Sequence, residues 1–234
     1  MPACRPISAS SEKAAAALTD DLDPPSCRLY LAAPPDLGTG GPSLDDFLGL
    51  LPSALAAGDV ACLRLAGGLG AASIGRIARV VQAHDVACLV EGDAALVLEA
   101  GVDGLHLAAA GPATISATRS RLGSLSLGVG CGGSRHDAMV AAEQGADYIL
   151  LERDAATADD EFLALVEWWS ELMTVPLVAG TATNPAAAGA WALAGADFVA
   201  LDPACWAAGD PVAAIAAHQR AIDQATAERA RLAS

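Results

Sequence analysis

Positive charge is scarce in this sequence. Thirteen Lys and Arg residues stand against 28 Asp and Glu residues, which gives a formal net charge of −15, and Lys13 is the only lysine. Nucleic acids and anionic membrane surfaces attract proteins through clusters of Lys and Arg that neutralise phosphates. We therefore expect no nucleic acid and no membrane among the partners of this protein.

Long apolar runs and closely spaced cysteines are absent as well. Charged residues or glycines interrupt every apolar run before it reaches the ~18 residues of a membrane span. The first residues, MPACRPISASSEK, lack the apolar core of a signal peptide. The six cysteines include no C-x-x-C pair and lie mostly inside apolar runs, as buried thiols do in a reducing compartment. These absences predict a cytoplasmic protein.

A regular alternation begins where a polar N-terminal stretch ends. Residues 1–26 are rich in Ser, Ala, Pro and Asp without a sustained apolar period, which predicts a flexible N-terminal arm. After them, eight short apolar runs alternate with helical segments, a pattern typical of a parallel sheet buried on both faces. The sequence thus predicts an α/β fold, a single compact (β/α)8 TIM barrel over residues 27–234. The predicted strands are Arg28 to Ala33, Val60 to Leu65, Val86 to Val90, Gly104 to Leu107, Ser124 to Val129, Tyr148 to Leu151, Leu177 to Ala179 and Phe198 to Leu201.

Three Gly-x-Asp junctions recur along the chain. Gly101-Val102-Asp103, Gly145-Ala146-Asp147 and Gly195-Ala196-Asp197 each stand where a predicted helix ends and a strand begins. Glycine ends a helix in the left-handed conformation, and Asp satisfies loose backbone donors at the following turn. Such junctions lie at the bottom of a barrel, so we interpret them as structural and expect the chemistry at the mouth.

Polar side chains near the carboxyl ends of the predicted strands form the candidate ligand site. This acidic rim suits a cation better than a polyphosphate, and Glu91, Asp93, Glu152 and Asp202 could converge on Mg²⁺. Helix capping is the favoured interpretation of Asp202, because Pro203 follows it, and we predict no metal site. The substrate-binding candidates are Arg64, Glu91, His106, Glu152, Arg153, Thr181, Thr183 and Asp202.

The four histidines divide between the barrel and its helices. His106 lies within a predicted strand, where it is either a hydrogen-bonded core residue or a ligand contact in the lumen. His84, His136 and His218 fall on predicted helices, and we expect them at the surface. No Ser-His-Asp or Cys-His arrangement has supporting local context, so no catalytic residue is assigned.

The strands and junctions together carry a family resemblance. The runs EAGVDGLHL (residues 99–107), LGV (127–129), AAEQGADYI (141–149), VPLVA (175–179) and AGADFVA (194–200) resemble thiamine-phosphate synthase and its relative thiazole tautomerase. The resemblance implies a barrel that joins an aminopyrimidine diphosphate to a thiazole phosphate and releases diphosphate with the help of Mg²⁺.

Several functional positions of that family carry other residues in this chain. The family's Gln, then Arg or Lys, then Lys at alternate positions of strand two correspond to Cys62, Arg64 and Ala66, so one cation remains. Its Asn-Asp-Arg after strand three corresponds to Glu91-Gly92-Asp93, and its second metal-binding Asp, after strand four, is missing from His106 to Gly111. The loop after strand six has no lysine.

The loops after strands seven and eight form the phosphate cup in such barrels. The family's Gly-Gly after strand seven corresponds to Thr181-Ala182, and its Ser after strand eight to Pro203, which has no N–H to donate. Asp202 places a carboxylate where the phosphate approaches.

Three functions stay open on these grounds. The first is a divergent member of the family, associated with thiamine biosynthesis, that binds a small-molecule ligand at the barrel mouth and needs no cofactor. The alternatives are an active thiamine-phosphate synthase, which uses Mg²⁺, and another small-molecule isomerase or proton-transfer enzyme on the same scaffold. Both an enzyme and a non-catalytic binding protein fit these observations, and a homo-oligomer is compatible with them.

Overall fold

The computed structural model describes residues 26–154 and 157–232. The strands are β1 (Arg28–Ala32), β2 (Val60–Leu65), β3 (Ala87–Glu91), β4 (Gly104–Leu107), β5 (Ser126–Gly130), β6 (Tyr148–Glu152), β7 (Leu177–Ala182) and β8 (Phe198–Leu201). The helices are α1 (Leu44–Leu55), α2 (Ala71–Gln82), α3 (Ala94–Ala100), α4 (Pro112–Leu122), α5 (Arg135–Glu143), α6 (Asp159–Leu172), α7 (Pro185–Ala194) and α8 (Pro211–Leu232), with a short 3₁₀ helix at Pro203–Ala207. Apart from Ser26, the predicted N-terminal arm lies outside the described residues.

The strands form a closed parallel barrel. They pair in chain order from β1 to β8, and β8 pairs back onto β1 through Arg28 and Phe198, Leu29 and Val199, and Tyr30 and Ala200. The (β/α)8 barrel predicted from the alternation of apolar runs is therefore confirmed. Within the described ranges, no helix is long and apolar enough to cross a membrane.

Alternation along the strands divides the apolar core into two layers. In β1, the side chains of Leu29 and Leu31 pack outward against the helices, whereas Tyr30 joins an inner cluster that fills the lumen. Cys62, Leu89, Tyr148 and other buried residues of alternate strand positions complete this inner cluster. Burial on both faces explains why the strands read as nearly continuous apolar runs.

The Gly-x-Asp junctions have the predicted structural role. Gly101, Gly145 and Gly195 have φ values of 68°, 93° and 104°, the left-handed region that favours glycine. The carboxylates that follow accept hydrogen bonds from the first part of the preceding strand. The three bonds run from Cys88 N to Asp103 at 2.7 Å, from Leu127 N to Asp147 at 2.8 Å and from Leu177 N to Asp197 at 2.8 Å.

Four strands extend further toward the mouth than predicted, β3 and β6 by one residue each, to Glu91 and Glu152. β5 ends at Gly130, which pairs with Leu150, and β7 ends at Ala182, which pairs with Leu201 beyond a shift in register. Thr181 therefore belongs to a strand and not to a loop. The sequence did not show this, because glycine is a common strand terminator and the pairing partners lie on other strands.

One histidine prediction is wrong. His84 and His136 are exposed as expected, but His218 is only 6% exposed. Its helix, α8, packs along α7, and the buried face of α8 includes Ile215, Ile222 and His218 itself. The His218 Nδ1 atom lies 2.8 Å from the carbonyl oxygen of Ala214, which gives the ring a polar contact within its own helix.

Candidate functional site

The predicted site residues do gather at one end of the barrel. Arg64 is near the end of β2, His106 is near the end of β4, and Glu91 and Glu152 are the last residues of β3 and β6. The carboxyl ends of parallel strands all open at the same face of a barrel, so these side chains share the mouth. Arg153, Thr181, Thr183 and Asp202 lie at or just beyond the ends of β6, β7 and β8.

An ion pair joins two neighbouring strands at this mouth. The Arg64 guanidinium lies 3.2 Å from the Glu91 carboxylate, and the two side chains are 14% and 28% exposed. The guanidinium also lies 5.8 Å from the centroid of the Tyr30 ring, within the range of a cation–π contact. Burial acts to lower the pKa of Arg64, but Tyr30 and Glu91 outweigh it and raise that pKa, so Arg64 remains charged.

A row of buried hydrogen bonds lies in the lumen beneath this ion pair. The Tyr148 hydroxyl lies 3.0 Å from His106 Nδ1 and 3.0 Å from the Tyr30 hydroxyl. His106 is 1% exposed, and burial together with the Arg64 charge lowers the pKa of its imidazole to about 3. His106 is therefore neutral at physiological pH. Burial raises the pKa of both phenols, so Tyr30 and Tyr148 keep their protons.

The sequence indicated His106 but missed the two tyrosines. The alternation of Leu29, Tyr30 and Leu31 was the available signal, because it puts Tyr30 on the opposite face of β1 from its neighbours. Tyr148 is the first residue of β6, and the sequence indicated it only as the start of a predicted strand and as part of the run that carries the family resemblance. Their contact joins residues 118 positions apart, a separation across which no local pattern acts.

Asp202 caps the 3₁₀ helix that follows β8, as predicted. Its carboxylate accepts a hydrogen bond from the Ala204 N–H at 2.7 Å. Asp93 caps α3 in the same manner and accepts from Ala95 N at 2.7 Å and Leu96 N at 3.0 Å. Both carboxylates thus satisfy backbone donors at helix starts.

The donor set at the mouth does not fit the Mg²⁺ that the family resemblance implies. In the parts of the chain that the structure describes, no three His, Cys, Asp or Glu side chains are grouped so that they could hold a metal ion. Glu91 is paired with Arg64, and Asp93 and Asp202 are helix caps. A hard cation needs several converging oxygen ligands, and of the four candidate carboxylates all but Glu152 are already engaged elsewhere.

The remaining candidates lie at the rim. Arg153 pairs with Asp159 at 2.9 Å and donates to the carbonyl of Thr157 at 3.1 Å. The Thr183 hydroxyl accepts from the Asn184 side chain at 3.3 Å. A cleft opens between the loops that follow β1 and β2, lined by Ala33, Pro34, Pro35, Leu37, Thr39, Ala66, Gly67, Gly68 and Leu69.

A closed parallel barrel whose polar side chains gather at the carboxyl ends of the strands defines a TIM-barrel protein. Residues 46–204 match the family model described as thiamine monophosphate synthase. The chain therefore belongs to the thiamine-phosphate synthase family, as its strand and junction residues predicted.

Individual relatives support the same membership. The chain is 37% identical over 213 residues to a thiamine-phosphate synthase of Rhodospirillum centenum, an alignment that covers 84% of this chain and 98% of that protein. It is 33% identical over 217 residues to one of Hyphomonas neptunium, covering 86% of this chain and 96% of that protein. Among solved structures, the thiamine phosphate pyrophosphorylase of Pyrococcus furiosus aligns with a TM-score of 0.67 at 19% identity, over 85% of this chain and 96% of that one. At that identity the structural likeness concerns the fold alone.

Proposed function

We propose that this protein is a divergent member of the family that binds a small neutral or cationic ligand at the barrel mouth, in connection with thiamine biosynthesis, and does not carry out the diphosphate-releasing reaction. One observation carries the proposal. The Asp202 carboxylate accepts the Ala204 N–H at 2.7 Å, so an anionic side chain takes a backbone donor at the start of the 3₁₀ helix after β8.

That position matters because of where phosphate binds in barrels of this kind. The loops after the last two strands and the start of a short helix usually supply the N–H groups that hold it. A phosphate brought within ~5 Å of a carboxylate, at an effective dielectric constant of ~20, loses on the order of 3 kcal/mol. This repulsion corresponds to roughly a hundredfold lower affinity.

The arginines of the mouth do not offset this repulsion, because each already has a carboxylate partner. Arg64 pairs with Glu91, and Arg153 pairs with Asp159. Expulsion of diphosphate develops negative charge that cations must stabilise, and this stabilisation is usually the largest electrostatic contribution to such a reaction. A mouth whose cations are already neutralised favours an uncharged or positively charged ligand.

A second candidate is an active thiamine-phosphate synthase, and the sequence relatives support it directly. The alignment with the Rhodospirillum centenum protein named for that activity reaches 37% identity and covers 98% of that protein. Arg64 also stands at the one family position of β2 that keeps its cation. This candidate requires Mg²⁺ ligands and phosphate donors from rearranged mouth residues.

One assay separates the two candidates. Purified protein is incubated with the aminopyrimidine diphosphate, the thiazole phosphate and Mg²⁺, and thiamine phosphate is quantified by chromatography beside a synthase of known activity. We expect no product above the enzyme-free control. Turnover at rates comparable with the reference synthase would establish the second candidate. Calorimetric titration of the same preparation with thiamine and with thiamine phosphate then tests ligand binding, with thiamine expected to bind more tightly.

A further inference from the structure

The row of buried hydrogen bonds in the lumen ends at an atom that has no partner. Tyr30, Tyr148 and His106 are linked by contacts of 3.0 Å each, and the Nε2 atom of His106 is buried without a hydrogen-bond partner among the described residues. An unpaired buried polar group costs ~1–3 kcal/mol. A ligand or a bound water that reaches the atom relieves this cost.

The row is built into the barrel by a glycine. Gly128 is paired in register with His106 on one side and with Tyr148 on the other. A Cβ atom at Gly128 would overlap the Cζ and Oη atoms of Tyr148. The Tyr148 ring therefore occupies the space above Gly128, which lets its hydroxyl reach His106 and lets the two rings stack at 17° with centroids 5.8 Å apart.

The protonation states limit the row to three arrangements of its protons. A neutral imidazole has one N–H and one nitrogen lone pair. If Tyr30 donates to Tyr148 and Tyr148 donates to Nδ1 of His106, only the Nε2–H is left unpaired. In the opposite direction, both the Tyr30 proton and the Nε2 lone pair are left unpaired. If Tyr148 instead accepts from both neighbours, its own proton and the Nε2 lone pair are left unpaired. The first direction leaves fewer buried groups without a partner and is favoured for that reason.

We propose that Tyr148 is a positioning residue that holds His106 as the tautomer protonated at Nε2, and that this N–H is a hydrogen-bond donor for an uncharged acceptor atom of the ligand. The second half rests on the proposed function, since it takes the mouth as the ligand site. His106 is paired in register with Glu91, whose side chain is 28% exposed, so the ring lies directly beside residues that reach solvent. Because the imidazole of His106 is neutral, its Nε2–H brings no net positive charge to an acceptor, and an uncharged acceptor is the better match.

The tautomer is tested first and without any ligand. Protein labelled with ¹⁵N at histidine is examined by long-range ¹H–¹⁵N correlation, with His106→Gln used to assign the signals. We expect the pattern of a single tautomer protonated at Nε2. Tyr148→Phe keeps the ring but removes the donor, and it should give a mixture of tautomers; Gly128→Ala, which displaces the same ring, should do likewise.

Two further variants serve as controls for the tautomer measurement. Tyr30→Phe should keep the Nε2–H tautomer, because Tyr148 still donates to Nδ1, and a change of tautomer would overturn the assigned direction. Gly49→Ala lies on α1 with open space around it and should leave the spectrum unchanged. A wild-type spectrum with the proton on Nδ1, or a Tyr148→Phe spectrum identical to wild type, would overturn the positioning role.

The donor role is tested by calorimetric titration with thiamine, a cation that carries uncharged ring nitrogens. Tyr148→Phe should bind it about tenfold more weakly than wild type, as expected for the loss of one hydrogen bond, and Gly49→Ala should bind it equally well. Equal binding by wild type and Tyr148→Phe would overturn the donor role. Failure of wild type to bind thiamine would contradict the proposed function and the donor role, whereas the tautomer spectrum would still decide the positioning role.

Discussion

The carboxylate of Asp197 and the backbone of Leu177 form a closed pair of hydrogen bonds at the bottom of the barrel. The Leu177 N–H donates to the carboxylate at 2.8 Å, and the Asp197 N–H donates to the Leu177 carbonyl at 3.1 Å. Asp103 does the same with Cys88, and Asp147 with Leu127. In each case an aspartate stands directly before an even-numbered strand (β4, β6 or β8). Its hydrogen bonds link that strand to the odd-numbered strand that precedes it in the chain.

Substitution of Asp197 tests how much this pairing stabilises the barrel. Asp197→Ala leaves the Leu177 N–H without an acceptor and should lower the free energy of unfolding by ~1–3 kcal/mol. Asp197→Asn keeps an acceptor oxygen and should cost less, particularly because burial raises the pKa of this carboxyl and disfavours its charge. Urea unfolding at neutral pH measures both variants, and equal losses would contradict this account.

Removal of the Asp202 charge should open the mouth to phosphate. Asp202→Ser keeps a capping oxygen for the Ala204 N–H but removes the carboxylate, so thiamine phosphate should bind up to roughly a hundredfold more tightly. Asp210→Ser is the matched control, because Asp210 accepts from Ala213 N at 3.0 Å at the exposed start of α8. Calorimetry on both variants is decisive: unchanged affinity in Asp202→Ser would remove the main support for the proposed function.

Removal of the carboxylate that pairs with Arg64 should also increase the affinity for thiamine phosphate. Glu91→Gln removes the partner that lies 3.2 Å from the guanidinium, and the freed cation should strengthen the binding of thiamine phosphate by roughly tenfold. Asp45→Asn breaks the exposed Arg76–Asp45 pair on the helical layer and should change nothing. Because the interaction is electrostatic, the gain should shrink when titrations are repeated at high salt.

His106 should make the protein less stable in mild acid. Its folded-state pKa is lowered to about 3, so between that value and ~6.5 the unfolded chain binds a proton that the folded protein does not. Stability therefore rises with pH across this window, and at pH 5 the loss relative to pH 7 is about 2 kcal/mol. His106→Gln should show a smaller loss between the two pH values in urea unfolding. His136→Gln, at an exposed helical position, should behave like wild type.

The sequence was sufficient for the barrel because each element carries a local signal. Apolar runs bounded by glycine and aspartate predicted all eight strands. The Gly-x-Asp turns predicted that their carboxylates accept backbone hydrogen bonds, but the donors lie on the neighbouring strand and not at the turn. The end of β7 was not predicted, because its last pair, Ala182 with Leu201, depends on a register shift between two strands. The burial of His218 was not predicted, because a single polar residue in an amphipathic helix is expected at the surface when the position of the neighbouring helix is unknown.

The sequence predicted which residues lie at the mouth but not which of them contact one another. The position of Arg64 and Glu91 at the ends of adjacent strands would have allowed their ion pair to be expected, since neighbouring parallel strands end side by side. The link from His106 through Tyr148 to Tyr30 crosses the lumen, and only the closed barrel brings these strands face to face. Capping by Asp202, in contrast, is a local arrangement and was predicted correctly.

The Gly-x-Asp hydrogen bonds also separate the residues that stabilise the barrel, at its base, from the residues that line its mouth. Each pair is made from backbone atoms and a carboxylate at the base, and none of them touches the residues that line the mouth. Mutations can therefore accumulate at the mouth while the hydrogen bonds that link the strands in pairs at the base remain intact. A lineage can exchange the chemistry of such a mouth and still inherit a barrel that folds.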